Sequence, residues 1–137
     1  MLEKVSILFN SDLSMTDCAE EFFRAAVKRW NIEEDRIDWI ALSLREAVNN
    51  AIIHGNQNCR DKKVEVVMEA VDKEILLRIW DEGRGFDIYS LPDPTKEENL
   101  LRPHGRGIFL ISKFVDSVRF VCRETGFGVE LKVELKK

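Results

Sequence analysis

The stretch DRIDWIALSLREAVNNAIIHG, residues 35–55, carries more structural information than any other part of this chain. Ile37, Ile40, Ala41, Leu44, Val48, Ala51 and Ile52 recur at helical spacing, Asp35 stands where an N-cap belongs, and Gly55 supplies a C-terminal stop. At about 100° per residue these apolar positions gather on one side, and Glu46 and Asn50, one turn apart, face the other. One Glu and one Asn on a polar face is ordinary solvation. Adjacent Asn49 and Asn50, however, are poor helix formers at mid-helix, where Lys, Glu or Gln serves better on a merely wet surface. His54 and Gly55 close the same segment. A carboxylate and a carboxamide at i, i+4 suit magnesium–nucleotide chemistry. The Asn oxygen is a hard ligand for Mg²⁺, with phosphates and water completing its octahedron, and the Glu can polarise or deprotonate an attacking hydroxyl.

Working outward, Lys4–Asn10 is apolar and β-tending, and predicts a first strand. Ser14-Met15-Thr16-Asp17 offers N-cap candidates for an amphipathic helix to about Trp30, with Ala19, Phe22, Phe23, Ala26, Val27 and Trp30 on its buried side. Downstream, Val64–Val71 and Glu74–Trp80 read as a hairpin joined through Asp72-Lys73. Gly107–Val115 reads as a short third helix, and Ser117–Arg123 and Val129–Leu135 as two more strands. The last alternates Val129, Leu131, Val133 and Leu135 against Glu130, Lys132, Glu134 and Lys136, which belongs to an antiparallel sheet with one wet face. The order β-α-α-β-β-α-β-β predicts an α+β two-layer sandwich: one mixed, mostly antiparallel sheet with helices on one face. No repeat or linker divides residues 1–137, so one domain is expected. From Phe86 to His104 no periodicity holds and all three prolines fall there. Taken alone it is as well a surface excursion as a lid, but the Gly-x-Gly pairs on either side favour an active-site lid.

All seven glycines fall at four places, three of them Gly-x-Gly pairs: Gly83/Gly85, Gly105/Gly107 and Gly126/Gly128. Paired glycines beside Asp81, Arg106 and the 46–54 cluster suggest backbone wrapped round a ligand. In Trp80-Asp81-Glu82-Gly83-Arg84-Gly85 a strand ends in an acid that can accept a hydrogen bond from an exocyclic amine, while the glycines let a base lie close to main chain. The same residues also make an ordinary turn. His104-Gly105-Arg106-Gly107-Ile108 opens the third helix, whose free N–H groups form a phosphate seat; a flexible helix entry reads identically. Neither pair completes a dinucleotide fingerprint, and no P-loop is present.

Composition narrows the field further. With 45% hydrophobic and 34% charged residues the chain is an ordinary globular protein, and a net charge of −4 gives no basic field for nucleic acid or anionic membrane. Cys18, Cys59 and Cys122 lack metal or disulfide spacing and read as small semi-buried residues in a reducing compartment. His54 and His104 have no partner to complete a zinc set. No leader or membrane-length apolar run is present, so a cytoplasmic location is expected.

Taken in order, these segments resemble the GHKL ATP-binding superfamily, which includes DNA gyrase B, the heat-shock chaperone ATPases and histidine kinases. Residues Glu46 to Gly55 match its N box, Asp81-Glu82-Gly83-Arg84-Gly85 its first glycine box, and Gly105-Arg106-Gly107-Ile108 its second. Within the superfamily the Ile-Ile-His-Gly ending and the short length are most similar to the anti-sigma-factor serine kinases. That resemblance implies a Bergerat ATP-binding fold with a lid over about residues 86–104. It implies a Mg-ATP-dependent kinase that binds a sigma factor, phosphorylates a serine of a STAS-type anti-anti-sigma partner, and is a homodimer. It also implies Glu46 as general base, Asn50 as magnesium ligand and Asp81 as adenine contact. Gly83 and Gly85 would shape the base pocket, with Gly105, Arg106 and Gly107 at the phosphates. One departure stands out: where the family's last box reads Gly-Thr, this chain has Gly126-Phe127. A nucleotide-gated module that sequesters a regulator without turnover is the competing reading. A histidine-kinase fragment is disfavoured, since neither His lies in a preceding dimerisation helix pair.

Overall fold

The computed structural model describes residues 3–83 and 115–135. Among them the elements run β1 (Glu3–Asn10), α1 (Met15–Val27), α2 (Glu34–Asn50), a single π-helical turn (Ala51–Gly55), β2 (Lys63–Val71), β3 (Glu74–Asp81), β4 (Ser117–Arg123) and β5 (Gly126–Glu134). The strands form one sheet in the order β1-β2-β3-β5-β4, and each of these pairings is antiparallel. The α+β layering and mostly antiparallel sheet expected from sequence are both present. The expected third helix lies outside the described residues except for Val115, which sits in a bend, and so does the 86–104 segment.

Period-two alternation decides which side of the sheet is covered. Val5, Ile7 and Phe9 of β1 lie opposite Met68, Val66 and Val64 of β2. Ile75, Leu77 and Ile79 of β3 lie opposite Val133, Leu131 and Val129 of β5. These side chains form one core with Ala19, Phe23 and Val27 of α1 and Ile40, Ala41, Leu44, Ala47 and Val48 of α2. Each fully buried large apolar side chain there, Phe23, Leu44, Leu77 or Leu131, stabilises the fold by about 1.5–3 kcal/mol relative to exposure. The two helices are clamped by polar contacts at their flanks. Arg45 pairs with Asp17 at 2.8 Å and Glu20 at 2.9 Å, and Arg24 pairs with Glu20 at 2.7 Å and Asp38 at 2.9 Å.

The opposite face of the sheet is charged but not simply wet. Glu130, expected from its alternation to point into water, is only 8% exposed. Arg78 on the neighbouring strand binds it at 2.7 Å and Arg119 at 2.9 Å, while Arg78 also approaches Glu69 at 3.7 Å. The row Glu69–Arg78–Glu130–Arg119 thus crosses β2, β3, β5 and β4, with alternating sign, and buries the central carboxylate by pairing it from both sides. Beside this row the Arg123 guanidinium lies 4.4 Å from the centre of the Trp80 ring and binds Glu65 at 2.9 Å.

β5 begins three residues earlier than its apolar alternation predicts, because Gly126 and Gly128 belong to it. A Cβ at Gly126 would stand 1.8 Å from the Asp81 carbonyl oxygen, and one at Gly128 would stand 2.7 Å from the Trp80 ring. This pair therefore serves close strand packing, with Trp80 laid across Gly128. Cys18, Cys59 and Cys122 are free and exposed, a departure from the semi-buried positions expected of them.

Candidate functional site

The site is built where α2 ends. Gly55 does not stop a regular helix there. After Asn50 the chain widens into the π turn, closed by a 2.8 Å hydrogen bond from the Asn56 N–H to the Ala51 carbonyl. Such turns are rare and concentrate at functional sites. This one carries Gly55 onto the end of β3, where a Cβ at Gly55 would stand 2.1 Å from Asp81 Oδ2. A Cβ at Gly83 would in turn stand 2.1 Å from the Gly55 carbonyl oxygen. Bare backbone from two separate elements thus closes on one carboxylate, and at both positions only glycine leaves room for it.

Asp81 is 3% exposed. The Gly83 N–H donates to its Oδ1 at 2.7 Å. Burial raises its pKa above the ordinary aspartate value, opposed first by the Gly83 amide, then by the charges of Lys62 and Arg123 and by the Phe127 amide. Phe127 of β5 lies directly opposite Asp81 of β3 in register, and its ring stacks on Phe120 of β4 with centroids 5.9 Å apart. A buried carboxylate held by backbone amides in an apolar setting is an acceptor of fixed direction, suited to one good donor from a ligand.

Asn56, which follows the π turn and which no sequence motif singles out, locks this corner. It is fully buried. Its Nδ2 donates to Ser11 Oγ at 2.8 Å and to the Lys63 carbonyl at 3.0 Å, while its Oδ1 accepts the Glu82 N–H at 2.8 Å. One amide thereby joins the end of β1, the start of β2 and the turn after β3. The Glu82 carboxylate accepts the Lys63 N–H, fastening the same turn a second time. The sequence offers only an amide just past a helix stop as a signal, since its partners lie far away in the chain.

Glu46 and Asn50 are partly exposed on α2, between the buried Ala47, Val48 and Ala51. Their neighbour Asn49 plays a structural part instead, accepting the Thr16 hydroxyl at 2.7 Å and so tying α2 to α1. Nine residues separate Glu46 from Gly55, roughly 13 Å along a helix axis. The element that presents the carboxylate and carboxamide therefore also reaches Asp81 through its other end, a spacing that suits an extended ligand such as a nucleoside triphosphate. Among the described residues no group of three or more His, Cys, Asp or Glu side chains could cage a metal ion. The structure brings Asp81 and Gly83 together; Gly85, Gly105, Arg106 and Gly107 lie outside the described residues.

Residues 9–133 match the histidine kinase-like ATPase domain family. Among curated proteins the chain is 31% identical to an anti-sigma F factor of Clostridium botulinum over 121 residues, 82% of this chain and 84% of the relative. It is 35% identical to an anti-sigma F factor of Oceanobacillus iheyensis over 86% of both chains. It is 30% identical to a serine-protein kinase RsbW of Staphylococcus aureus over 85% of this chain and 74% of the relative. Among solved structures, the RsbU and RsbW domains of a Mycobacterium tuberculosis protein superpose with a TM-score of 0.69 at 15% identity, covering 97% of this chain but 32% of that one. The catalytic domain of the histidine kinase ThkA superposes with a TM-score of 0.55 at 16% identity, covering 95% and 97%. These two likenesses speak to the fold. With a family match over most of its length and relatives above 30% identity across four-fifths of it, the chain belongs to the histidine kinase-like ATPase domain family.

Proposed function

We propose that this protein is an ATP-dependent serine/threonine-protein kinase acting as an anti-sigma factor. In this reading it holds a sigma factor and transfers the γ-phosphate of ATP to a serine of a STAS-type anti-anti-sigma partner, as a cytoplasmic homodimer. The observation that carries the reading is the single element α2–π turn, which presents Glu46 and Asn50 on its exposed side and drives Gly55 against the buried acceptor Asp81. The names of the relatives support the kinase and anti-sigma parts.

The roles follow from the chemistry of each group. Asp81 accepts the exocyclic amine of adenine, with Gly83 and Gly85 letting the base lie against main chain. Gly105, Arg106 and Gly107 attend the phosphates. Glu46 takes the proton of the attacking serine hydroxyl as that oxygen bonds to the γ-phosphorus and the bond to ADP breaks. Magnesium fits this donor set. With no protein cage among the described residues, the ion would be held by Asn50 together with the nucleotide's own oxygens, the usual manner for Mg²⁺. It would supply charge neutralisation on the phosphates.

Incubation with γ-labelled ATP, magnesium and a STAS-type protein from the same organism tests the reading. Label on a partner serine is expected. Confirmed Mg-ATP binding without transfer would instead leave a nucleotide-gated binding module.

A further inference from the structure

The widened turn that joins α2 to the Asp81 corner is spanned from outside by another piece of the chain. Helices bend at π turns, because the regular hydrogen-bond ladder is interrupted there. Glu46 and Asn50 lie before this turn and Gly55 at its end, so a bend over Ala51–Gly55 would change the distance between them. Segment 11–16, which leads from β1 into α1, is bonded on both sides of it. Before the turn, the hydroxyl of the buried Thr16 donates to Asn49 Oδ1 at 2.7 Å. After it, Asn56 Nδ2 donates to Oγ of the buried Ser11 at 2.8 Å. The stretch between these two points is stiff in its own right. The Ser14 N–H and hydroxyl both donate to Asp12 Oδ1, at 2.9 and 2.8 Å. The Met15 and Thr16 N–H groups donate to the Asp12 and Leu13 carbonyls at 2.8 and 3.2 Å. Ser11 is tied to the Lys62 carbonyl as well, through its N–H at 3.0 Å and its hydroxyl at 2.7 Å.

We infer that segment 11–16 is a brace across the π turn, with Thr16 and Asn49 as positioning residues for phosphate transfer: their hydrogen bond holds the Glu46–Asn50 turn of α2 at a fixed reach from the corner that Ser11 and Asn56 tie together. The inference rests on the kinase reading above and adds to it. The Ser11–Asn56 end is the anchored one, since Asn56 also bonds the Lys63 carbonyl and the Glu82 N–H. The Thr16–Asn49 end sets where α2 stands relative to that anchor. Asn49 is a poor residue for mid-helix, and this bond gives it a use there. Transfer between a serine oxygen and a γ-phosphate depends on alignment, and a misplacement of about 1 Å from a distant change can cost roughly a hundredfold in rate. Removing the Thr16 hydroxyl without changing the shape of the side chain frees α2 at Asn49 and leaves the adenine end as it was.

The test compares Thr16→Val, which keeps the branched shape and loses the hydroxyl, with Thr16→Ser, which keeps the hydroxyl. Both are made in the full chain and assayed with Mg-ATP and a STAS-type protein from the same organism. Thr16→Val should transfer phosphate roughly tenfold to a hundredfold more slowly at saturating ATP, with KM for ATP within about threefold of wild type. Thr16→Ser should transfer at close to the wild-type rate. Asn49→Leu should match Thr16→Val, and the double variant should be no slower than either single one, because all three lack the same bond. Urea melts establish that each variant is folded. Hydrogen exchange at the Asn56 amide, which closes the π turn, should quicken in Thr16→Val by more than the change in overall stability accounts for. A pin that serves packing alone would lower stability and leave transfer per folded molecule unchanged. That result, a raised KM in place of a lost rate, or a Ser variant as slow as Val overturns this inference alone. Wild type that transfers no phosphate overturns the kinase reading and this inference with it.

Discussion

Replacing Gly55 by alanine perturbs the contact on which the whole corner depends. The new methyl carbon would stand 2.1 Å from Asp81 Oδ2 and 2.4 Å from its Cγ, where ordinary contact begins at 3.4 Å, so the carboxylate would have to retreat by about 1.3 Å. It is not free to do so. The Gly83 amide holds it at 2.7 Å, and Gly83 is itself packed against the Gly55 carbonyl. Overpacking at a site that cannot relax costs about 1–3 kcal/mol. With a urea slope of about 1–3 kcal/mol/M, the unfolding midpoint should fall by about 1 M. Displacing Asp81 should also remove a hydrogen bond to a charged group, worth about 1.5–3 kcal/mol, and so weaken ATP binding roughly tenfold to a hundredfold. The two effects have one cause, and a double-mutant cycle exposes it: in an Asp81→Ala background, where the colliding atoms are gone, Gly55→Ala should lose most of its stability cost. A Gly55→Ala protein with unchanged urea midpoint and unchanged ATP affinity, or a penalty undiminished in the Asp81→Ala background, refutes the reasoning.

Three further perturbations test other parts of the account. Glu46→Gln should abolish phosphate transfer while ATP affinity stays within a few-fold and stability within about 0.5 kcal/mol, because this side chain lies off the buried stripe of α2; labelled-ATP transfer and urea melts read both. Asn56→Ala leaves Ser11 Oγ, the Lys63 carbonyl and the Glu82 N–H without the amide they share, and should cost about 2–3 kcal/mol in urea unfolding. Asp81 should leave its mark on the pH dependence of stability. Burial raises its folded-state pKa above the ordinary 3.8, so its ionised form is penalised in the native state at neutral pH. The native protein takes up this proton first as pH falls, and the penalty fades as pH drops through the folded pKa toward 3.8. The stability of Asp81→Asn relative to wild type should therefore be greatest near neutrality and shrink with acidification; a constant or growing difference in urea midpoints between those conditions contradicts it.

Most of the framework is legible in the sequence because it rests on local periodicity. β4 spans the predicted residues 117–123, and β1, β2 and β3 begin and end within one residue of their predicted limits, whereas α1 stops at Val27, short of the expected Trp30, and α2 gives way to the π turn after Asn50. Those patterns are written in side chains a few positions apart. What escapes depends on contacts between distant segments. Nothing in Ala51–Gly55 distinguishes a π turn from a regular one, because the extra residue is imposed by docking Gly55 on Asp81. Glu130 sits at a water-facing position of its strand, and only Arg78 and Arg119 from two neighbouring strands make it buried. Nothing in the sequence around Gly126 and Gly128 announces that the Asp81 carbonyl and the Trp80 ring pack against them. Arg24 with Asp38, and Arg29 with Glu3, likewise pair across segments that are distant in the chain. Of the candidate site, a strand running into an acid and a glycine identifies Asp81 and Gly83; Asn56 has no such signature, since its partners lie far off in sequence.

The central claim is that α2 and the turn after β3 grip the two ends of one nucleotide. A crystal structure of the protein with magnesium and a non-hydrolysable ATP analogue tests it most directly. The adenine amine is expected within hydrogen-bond distance of an Asp81 oxygen, with the metal ligated by Asn50 Oδ1. A nucleotide bound elsewhere, or one that leaves Asp81 and Asn50 untouched, contradicts it.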